Sequence, residues 1–346
     1  MSKVLKRVLL GCVCCLAIGF LLVIVGRAAG GTMSYAIGKD FEVYIDNDSE
    51  SYTNETMELE EFDNLTVDVE SCDVEIRQGE SYQISYKLEK RNIPDIEVKD
   101  GRLTVIKKPE KKNRFGGSFI WFSNMFVVSK QAIITITVPE KHNLSELNVD
   151  CEFGNIEIDN MVAKDCEIKS ESGNVTVIGL EVETGEIVSE YGNITLADCS
   201  GKSCIVKSES GNGSFENLTF DEMNIETEYG NIKFNNDEIG VVTLKAESGN
   251  VVVNNLTAKQ FEGTAEYGNT NIDKSVIDQL KLTCESGNVK ANLIGSVEDY
   301  DLDLYSDVGN IKVNGEKQGN KAAITGKEKQ INIQSEYGDI DVRIEK

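Results

Sequence analysis

The chain has 346 residues and a formal net charge of −24, from 59 acidic against 35 basic residues. A surface this acidic repels phosphate backbones and anionic lipid head groups, which argues against nucleic acid as a partner. Hydrophobic residues make up 40% of the chain against 3 prolines, so it can bury a core and is not a disordered polymer; the length suits two ordinary domains or one elongated solenoid.

At the N-terminus, Lys3, Lys6 and Arg7 precede an apolar run from Val8 to Val25 that carries no charge. At about 1.5 Å per residue such a helix approaches the ~30 Å hydrocarbon core of a bilayer. The basic residues lie before it, which predicts a cytoplasmic N-terminus and an extracytoplasmic remainder. Residues 1–30 are therefore expected to be a cytoplasmic stub and one uncleaved transmembrane helix, placing the protein in the cell membrane as a single-pass species. The alternative is secretion after signal cleavage; the apolar run is long for a signal peptide, and Gly26-Arg27-Ala28 makes a poor cleavage site. Residues 31–62 read as a spacer, glycine-containing at first and acidic and irregular over 46–61.

From residue 63 to the C-terminus the expectation is a β-solenoid, with irregular rungs and an aromatic loop over 63–140 and regular repeats over 141–346. Alternation begins at Leu65-Thr-Val67-Asp-Val69 and Val74-Glu-Ile76, which looks like a degenerate repeat with Cys72-Asp73 where later copies have Gly-Asn. Further strands are expected over 81–88, 96–98, 103–106 and 133–138, with Asp100-Gly101 as a hairpin turn. Between the last two, Lys107, Lys108, Lys111, Lys112 and Arg114 lead into Phe115, Phe119, Trp121, Phe122 and Phe126. Two readings stay open: a loop that docks on a membrane or partner through Phe119, Trp121, Phe122 and Phe126, or a loop that covers the open end of the solenoid.

The regular part is organised by Glu-X-Gly-Asn. Its turns are Gly154-Asn155, Gly173-Asn174, Gly192-Asn193, Gly211-Asn212, Gly230-Asn231, Gly249-Asn250, Gly268-Asn269 and Gly287-Asn288, each 19 residues after the last. Two and four residues after each glycine stand residues such as Ile156 and Ile158, Val175 and Val177, Val251 and Val253; five before stand Val149, Ile168, Ile187 and Leu244. These are period-2 strands flanking a turn, each with one buried face. The residue three before the glycine is always small (Cys151, Ser170, Ser189, Ser208, Thr227, Ala246, Ala265, Cys284), as at a tight inward corner. Glycine supplies the φ > 0 conformation of that corner, and asparagine tolerates it. Units of this length, stacked about 4.8 Å apart, make a parallel β-solenoid (β-helix) of about 19-residue rungs, an all-β fold.

The residue before the glycine alternates: Phe153, Ser172, Tyr191, Ser210, Tyr229, Ser248, Tyr267, Ser286. A 38-residue coil is therefore the competing reading to the 19-residue rung, and Cys166 and Cys204 would be neighbours only in that wider coil.

Little here suggests chemistry. His142 is the sole histidine, the cysteines have no metal or redox spacing, and no phosphate-binding loop appears, so no catalytic residue and no cofactor is expected. The cysteines read as small buried hydrophobes. The stacked glutamates Glu171, Glu190, Glu209, Glu228, Glu247 and Glu266 are weak cation candidates, since hard oxygen ligands suit Ca²⁺; solvated corner glutamates are the simpler reading. Ile340–Ile344 reads as a final strand whose edge must be covered or self-associate.

Ser172-Gly-Asn-Val-Thr-Val177, Tyr191-Gly-Asn-Ile-Thr-Leu196, Ser248-Gly-Asn-Val-Val-Val253 and the entry segment Ile134-Thr-Ile-Thr-Val-Pro139 resemble the putative-adhesin family of β-strand-repeat proteins, domain of unknown function 4097. The resemblance covers roughly residues 60–346, with Tyr or Phe in place of Ser in alternate copies as the departure. It implies a membrane-anchored or secreted bacterial protein. The function expected is a non-enzymatic adhesin or binding surface for a protein or cell-wall polymer. The alternative is an envelope-stress or signalling component that regulates a membrane partner.

Overall fold

The computed structural model describes residues 35–37, 43–45, 52–107, 132–324 and 328–345. The chain divides into two compact units, residues 1–52 with 110–130, and residues 53–109 with 131–346. In the first, β1 (Tyr35–Ile37) and β2 (Val43–Ile45) form an antiparallel pair inside the stretch expected to be a spacer. The expected anchor over 8–25 and the aromatic residues Phe119, Trp121, Phe122 and Phe126 lie outside the described residues. Among the described residues, no helix is long and apolar enough to cross a membrane.

The second unit is a solenoid of two parallel sheets. It starts with β3 (Tyr52–Glu58), β4 (Asn64–Ser71), β5 (Asp73–Gly79), β6 (Gln83–Glu89), β7 (Asp95–Lys99), β8 (Arg102–Ile106) and β9 (Ile133–Pro139). The regular rungs then alternate a long and a short strand: β10 (Leu144–Phe153) and β11 (Ile156–Asp159), β12 (Val162–Ser172) and β13 (Val175–Ile178), β14 (Glu181–Tyr191) and β15 (Ile194–Ala197). They continue through β16 (Ser200–Ser210) and β17 (Gly213–Glu216), β18 (Thr219–Tyr229) and β19 (Ile232–Asn235), β20 (Glu238–Ser248) and β21 (Val251–Asn254), and β22 (Thr257–Tyr267). At the next corner a single strand with an irregularity between Ile272 and Ser275, β23 (Thr270–Ser286), runs through before β24 (Val289–Ile294).

Register settles the repeat length. Cys166 pairs with Gly185, and Gly185 with Cys204, so each rung is 19 residues and the two cysteines stand two rungs apart. The wide coil does not form. Long strands pair only with long strands and short with short, which puts the apolar columns of the two sheets face to face: Ile168, Val175, Val177 and Leu180 are all at most 4% exposed. Two gaps in these columns, Gly213 and Gly263, are filled from within by Phe215 and Phe261, whose rings would lie 3.2 Å from an added Cβ. Six cysteines (Cys72, Cys151, Cys166, Cys199, Cys204, Cys284) are free and buried, as small hydrophobes. Burial pushes the Cys72, Cys151 and Cys204 thiols up to about 12.

Both ends depart from chain order. At the N-terminal end β4 and β5 form the rung beside β10 and β11, and β8 and β9 form the rung outside them. That outer rung is covered by β7, antiparallel to β8, and β6, antiparallel to β9; β3 pairs with β6 in turn. The stretch expected to be irregular over 46–61 therefore contains a strand, and Phe62 just after it is fully buried. At the other end the chain runs one rung too far as β25 (Tyr300–Val308) and β26 (Ile311–Val313), turns back through β27 (Glu316–Gly319) and β28 (Lys321–Ile324), and inserts its last strands β29 (Lys329–Tyr337) and β30 (Ile340–Glu345) behind. β29 pairs with both β23 and β25, and β30 with both β24 and β26. The expectation that Ile340–Ile344 forms an edge is corrected: it is an interior rung, while β27 and β28 lie antiparallel against the outer one. Covering terminal rungs in this way takes the open hydrogen-bonding edge off the long rungs and leaves it on short antiparallel strands.

Candidate binding edge

The Glu-X-Gly-Asn corner joins each long strand to its short strand, so the same four positions stack along one edge of the solenoid. The glycine is demanded there by its neighbour. A Cβ on Gly192 would lie 1.9 Å from the carbonyl oxygen of Gly173 in the rung before, and the φ of +159° is already one that side chains avoid.

The asparagine has a different role from the one expected. None of the corner asparagines has a positive φ. Each instead donates its backbone N–H and side-chain amide to the side-chain oxygen of the asparagine one rung back, as Asn212 does to Asn193 at 3.0 and 3.0 Å and Asn231 to Asn212 at 3.0 and 3.1 Å. The ladder begins on Asp73, which accepts from Asn155 at 2.8 and 3.2 Å, so the degenerate Cys72-Asp73 copy is the ladder's first acceptor. At the far end Asp339 N–H donates to Asn288 at 2.9 Å, and Asn310 donates to Asp339. The hydrogen bonds from Asn310 hold the Asp339 carboxyl below its ordinary value.

The inward small column is buried: Ser189 and Ser306 are fully enclosed and Ala246 is 2% exposed. The second corner, six residues after the glycine, escaped the sequence reading. Asn160, Asp198, Asn217, Asn236, Asn255 and Lys274 occupy it with φ of 49–62°, the left-handed region. The signal was a column rich in Asn and Asp, masked by Lys274 and Gly179.

The glutamates of the first corner face outward beside a shallow groove of about 280 Å³ on the long-strand sheet, with Glu190, Glu209, Glu228 and Glu247 along its rim. Lys207 pairs there with Glu186 at 2.8 Å and Lys245 with Glu247 at 3.4 Å, which leaves carboxylates in excess. Partial burial, together with crowding by Glu171 and Glu70, raises the Glu152 carboxyl. Among the described residues no group of three or more His, Cys, Asp or Glu stands close enough to hold a metal ion, and the corner glutamates from Glu171 to Glu266 stand one per rung. His142 is spent structurally, 3.5 Å from Asp63 and edge-on to Tyr82.

The residues before the glycine give the edge its chemistry. In space the column runs Ser71, Phe153, Ser172, Tyr191, Ser210, Tyr229, Ser248, Tyr267, Ser286, Tyr337, Val308. Phe153, Tyr191, Tyr229, Tyr267 and Tyr337 are each 55–60% exposed: the first four have serine in the rungs on both sides, Tyr337 has Ser286 on one side and Val308 on the other, and so none has a ring in the adjacent rung to stack on. Aromatic and hydroxyl rungs thus alternate along one edge, with a ring every two rungs, about 9.6 Å.

Among solved structures, the chain is similar to a putative adhesin from Bacteroides fragilis, at 17% identity over 70% of this chain and 98% of that one, TM-score 0.41. It is similar also to a putative lipid binding protein from Parabacteroides distasonis, at 14% identity over 86% and 97%, TM-score 0.40. A putative cell adhesion protein from Clostridium sporogenes matches at 14% identity over 85% and 99%, TM-score 0.21. No curated protein matches the chain. The Toastrack DUF4097 family profile matches residues 62–253 and 237–346, nearly the whole solenoid, and the chain belongs to that family.

Proposed function

We propose that the protein is a non-enzymatic binding solenoid, held outside the cell by its charge-free run from Val8 to Val25, which engages a partner along the aromatic corner. One observation carries this reading: the rings of Tyr191, Tyr229 and Tyr267 stand 59–60% exposed in register along one edge. Single exposed apolar residues are ordinary; a regular row of large rings is a contact surface. The ladder beneath fixes the spacing of the rings, so the surface is rigid before any partner arrives, which reduces the entropy lost on binding.

The test reconstitutes the full chain in nanodiscs, so that the run from Val8 to Val25 is already occupied by lipid, with Tyr191, Tyr229 and Tyr267 all changed to Ser, the residue of the intervening rungs. Retention on isolated cell envelopes should fall while thermal unfolding stays at the wild-type temperature. Equal retention by the variant sinks the assignment of the edge, and turnover of an envelope glycan by the purified chain sinks the non-enzymatic reading.

A further inference from the structure

The alternation of rings and hydroxyls is kept at two junctions where the sequence repeat is not, and it ends at Val308 in the outermost rung. Ser71 lies 82 residues before Phe153 and Tyr337 lies 51 residues after Ser286, yet each sits in the rung beside its partner and in phase. Duplication of a 38-residue unit explains the run from Phe153 to Ser286 and explains neither junction. The property held constant is a spatial period of two rungs.

That period selects among extended ligands. A β-strand presents the same face every two residues, about 6.8 Å, and an α-helix every seven, about 10.5 Å. A polyproline-II helix presents it every three residues, about 9.3 Å, against about 9.6 Å for two rungs. Over the four intervals from Phe153 to Tyr337, the polyproline helix drifts by about 1 Å and the α-helix by about 4 Å, while the strand loses register at the first. Strand addition would take place at the short antiparallel strands that lie against the terminal rungs and not along the row of rings, which runs across the strands.

Charge supplies the second criterion. The row of rings runs beside the outward glutamates, and the groove next to Tyr191 and Tyr229 carries Glu190, Glu209, Glu226, Glu228 and Glu247 against Lys207 and Lys245, an excess of carboxylates. A second copy of this acidic edge would be repelled, whereas a cationic chain would be drawn in.

Building on the binding role proposed above, we infer that the edge binds a basic, proline-rich peptide segment in the polyproline-II conformation. Its prolines lie in the gaps between successive rings, over Ser172, Ser210, Ser248 and Ser286. Its arginines or lysines face the glutamate row. The serine hydroxyls are placed to donate to peptide carbonyls, which a polyproline-II helix leaves without internal partners.

The experiment titrates the full chain with a fluorescent peptide of repeated Arg-Pro-Pro triplets, with Glu-Pro-Pro and Arg-Gly-Gly repeats and a chito-oligosaccharide as comparisons. Binding of Arg-Pro-Pro alone is expected, weakened on the order of threefold to tenfold by Tyr229→Ser, the range one aromatic contact supplies. Ser210→Tyr, which fills a gap with a ring, should weaken binding by a similar factor; because it adds apolar contact, a folding defect would not explain the loss. Equal binding of Arg-Gly-Gly, or no binding of Arg-Pro-Pro, overturns the inference. Binding of the chito-oligosaccharide that Tyr229→Ser abolishes would also overturn it, assigning the edge to a glycan and leaving the broader binding role intact. If the three-tyrosine variant keeps wild-type envelope retention, the broader role fails independently.

Discussion

The corner glycines should be the least replaceable residues in the solenoid, and Gly230→Ala measures how much. The new Cβ would lie 1.8 Å from the carbonyl oxygen of Gly211, so the rungs must part locally by well over an ångström. Parting them breaks the two bonds from Asn231 to Asn212, at 3.0 and 3.1 Å, each contributing about 1 kcal/mol. Holding alanine at a φ of +148° adds about 1–3 kcal/mol. The expected loss is roughly 3–5 kcal/mol, read as a shift in the urea midpoint of the far-ultraviolet circular dichroism signal. Gly315→Ala isolates the contact from the backbone conformation: Gly315 has a φ of +83° with nothing within 4 Å of an added Cβ, so that variant suffers only the conformational penalty. If Gly230→Ala and Gly315→Ala lose the same stability, close approach of the rungs is not what requires glycine.

Two further perturbations probe the second corner and the core. Lys274 holds a φ of 49° in a column otherwise filled mainly by Asn and Asp, so Lys274→Asn should stabilise the chain by about 0.5–1 kcal/mol, seen as a higher melting temperature; an unchanged or lower one refutes the strain. Asp237 is buried at 2% exposure, accepting backbone N–H bonds from Leu218 at 2.8 Å and Asn235 at 2.7 Å. Burial outweighs those bonds and raises its carboxyl from 3.8 to about 6. The folded value lies above the unfolded one, so the stability linked to its protonation is full below about 3.8 and is lost as pH rises through about 6, on the order of 3 kcal/mol. Ser275 fills the same column position and accepts from Leu256 N–H at 3.2 Å, which makes Asp237→Ser the matched variant. Its stability relative to wild type should improve between pH 4 and pH 6.5, and a difference independent of pH would refute the buried charge.

The parts of the fold legible in the sequence are those that repeat. The 19-residue spacing of glycines, the apolar columns and the small inward column all reflect a constraint imposed again at every rung, and each appears in the register. The asparagine was legible as a residue but not as a hydrogen bond, because its partner lies 19 positions away and becomes a neighbour only once rungs stack. The terminal insertions were not legible at all. Nothing in Ile340–Ile344 distinguishes an edge strand from one threaded back between β24 and β26, since both bury one face and alternate with the same period.

The phase of the exposed rings separates folding from function. A solenoid built for stability alone would place an aromatic in every rung, where rings about 4.8 Å apart would stack on one another and hide their faces. This chain instead interposes serine, leaving Tyr191, Tyr229 and Tyr267 with no aromatic residue in the adjacent rungs, each 59–60% exposed. Stacking energy is forgone at every second rung, and nothing inside the solenoid recovers it. The same pattern persists through Ser71 and Tyr337, which reach the edge by different routes through the chain. Core packing does not enforce it, because these side chains are exposed to solvent; a partner of matching period along the edge, as proposed above, would account for it.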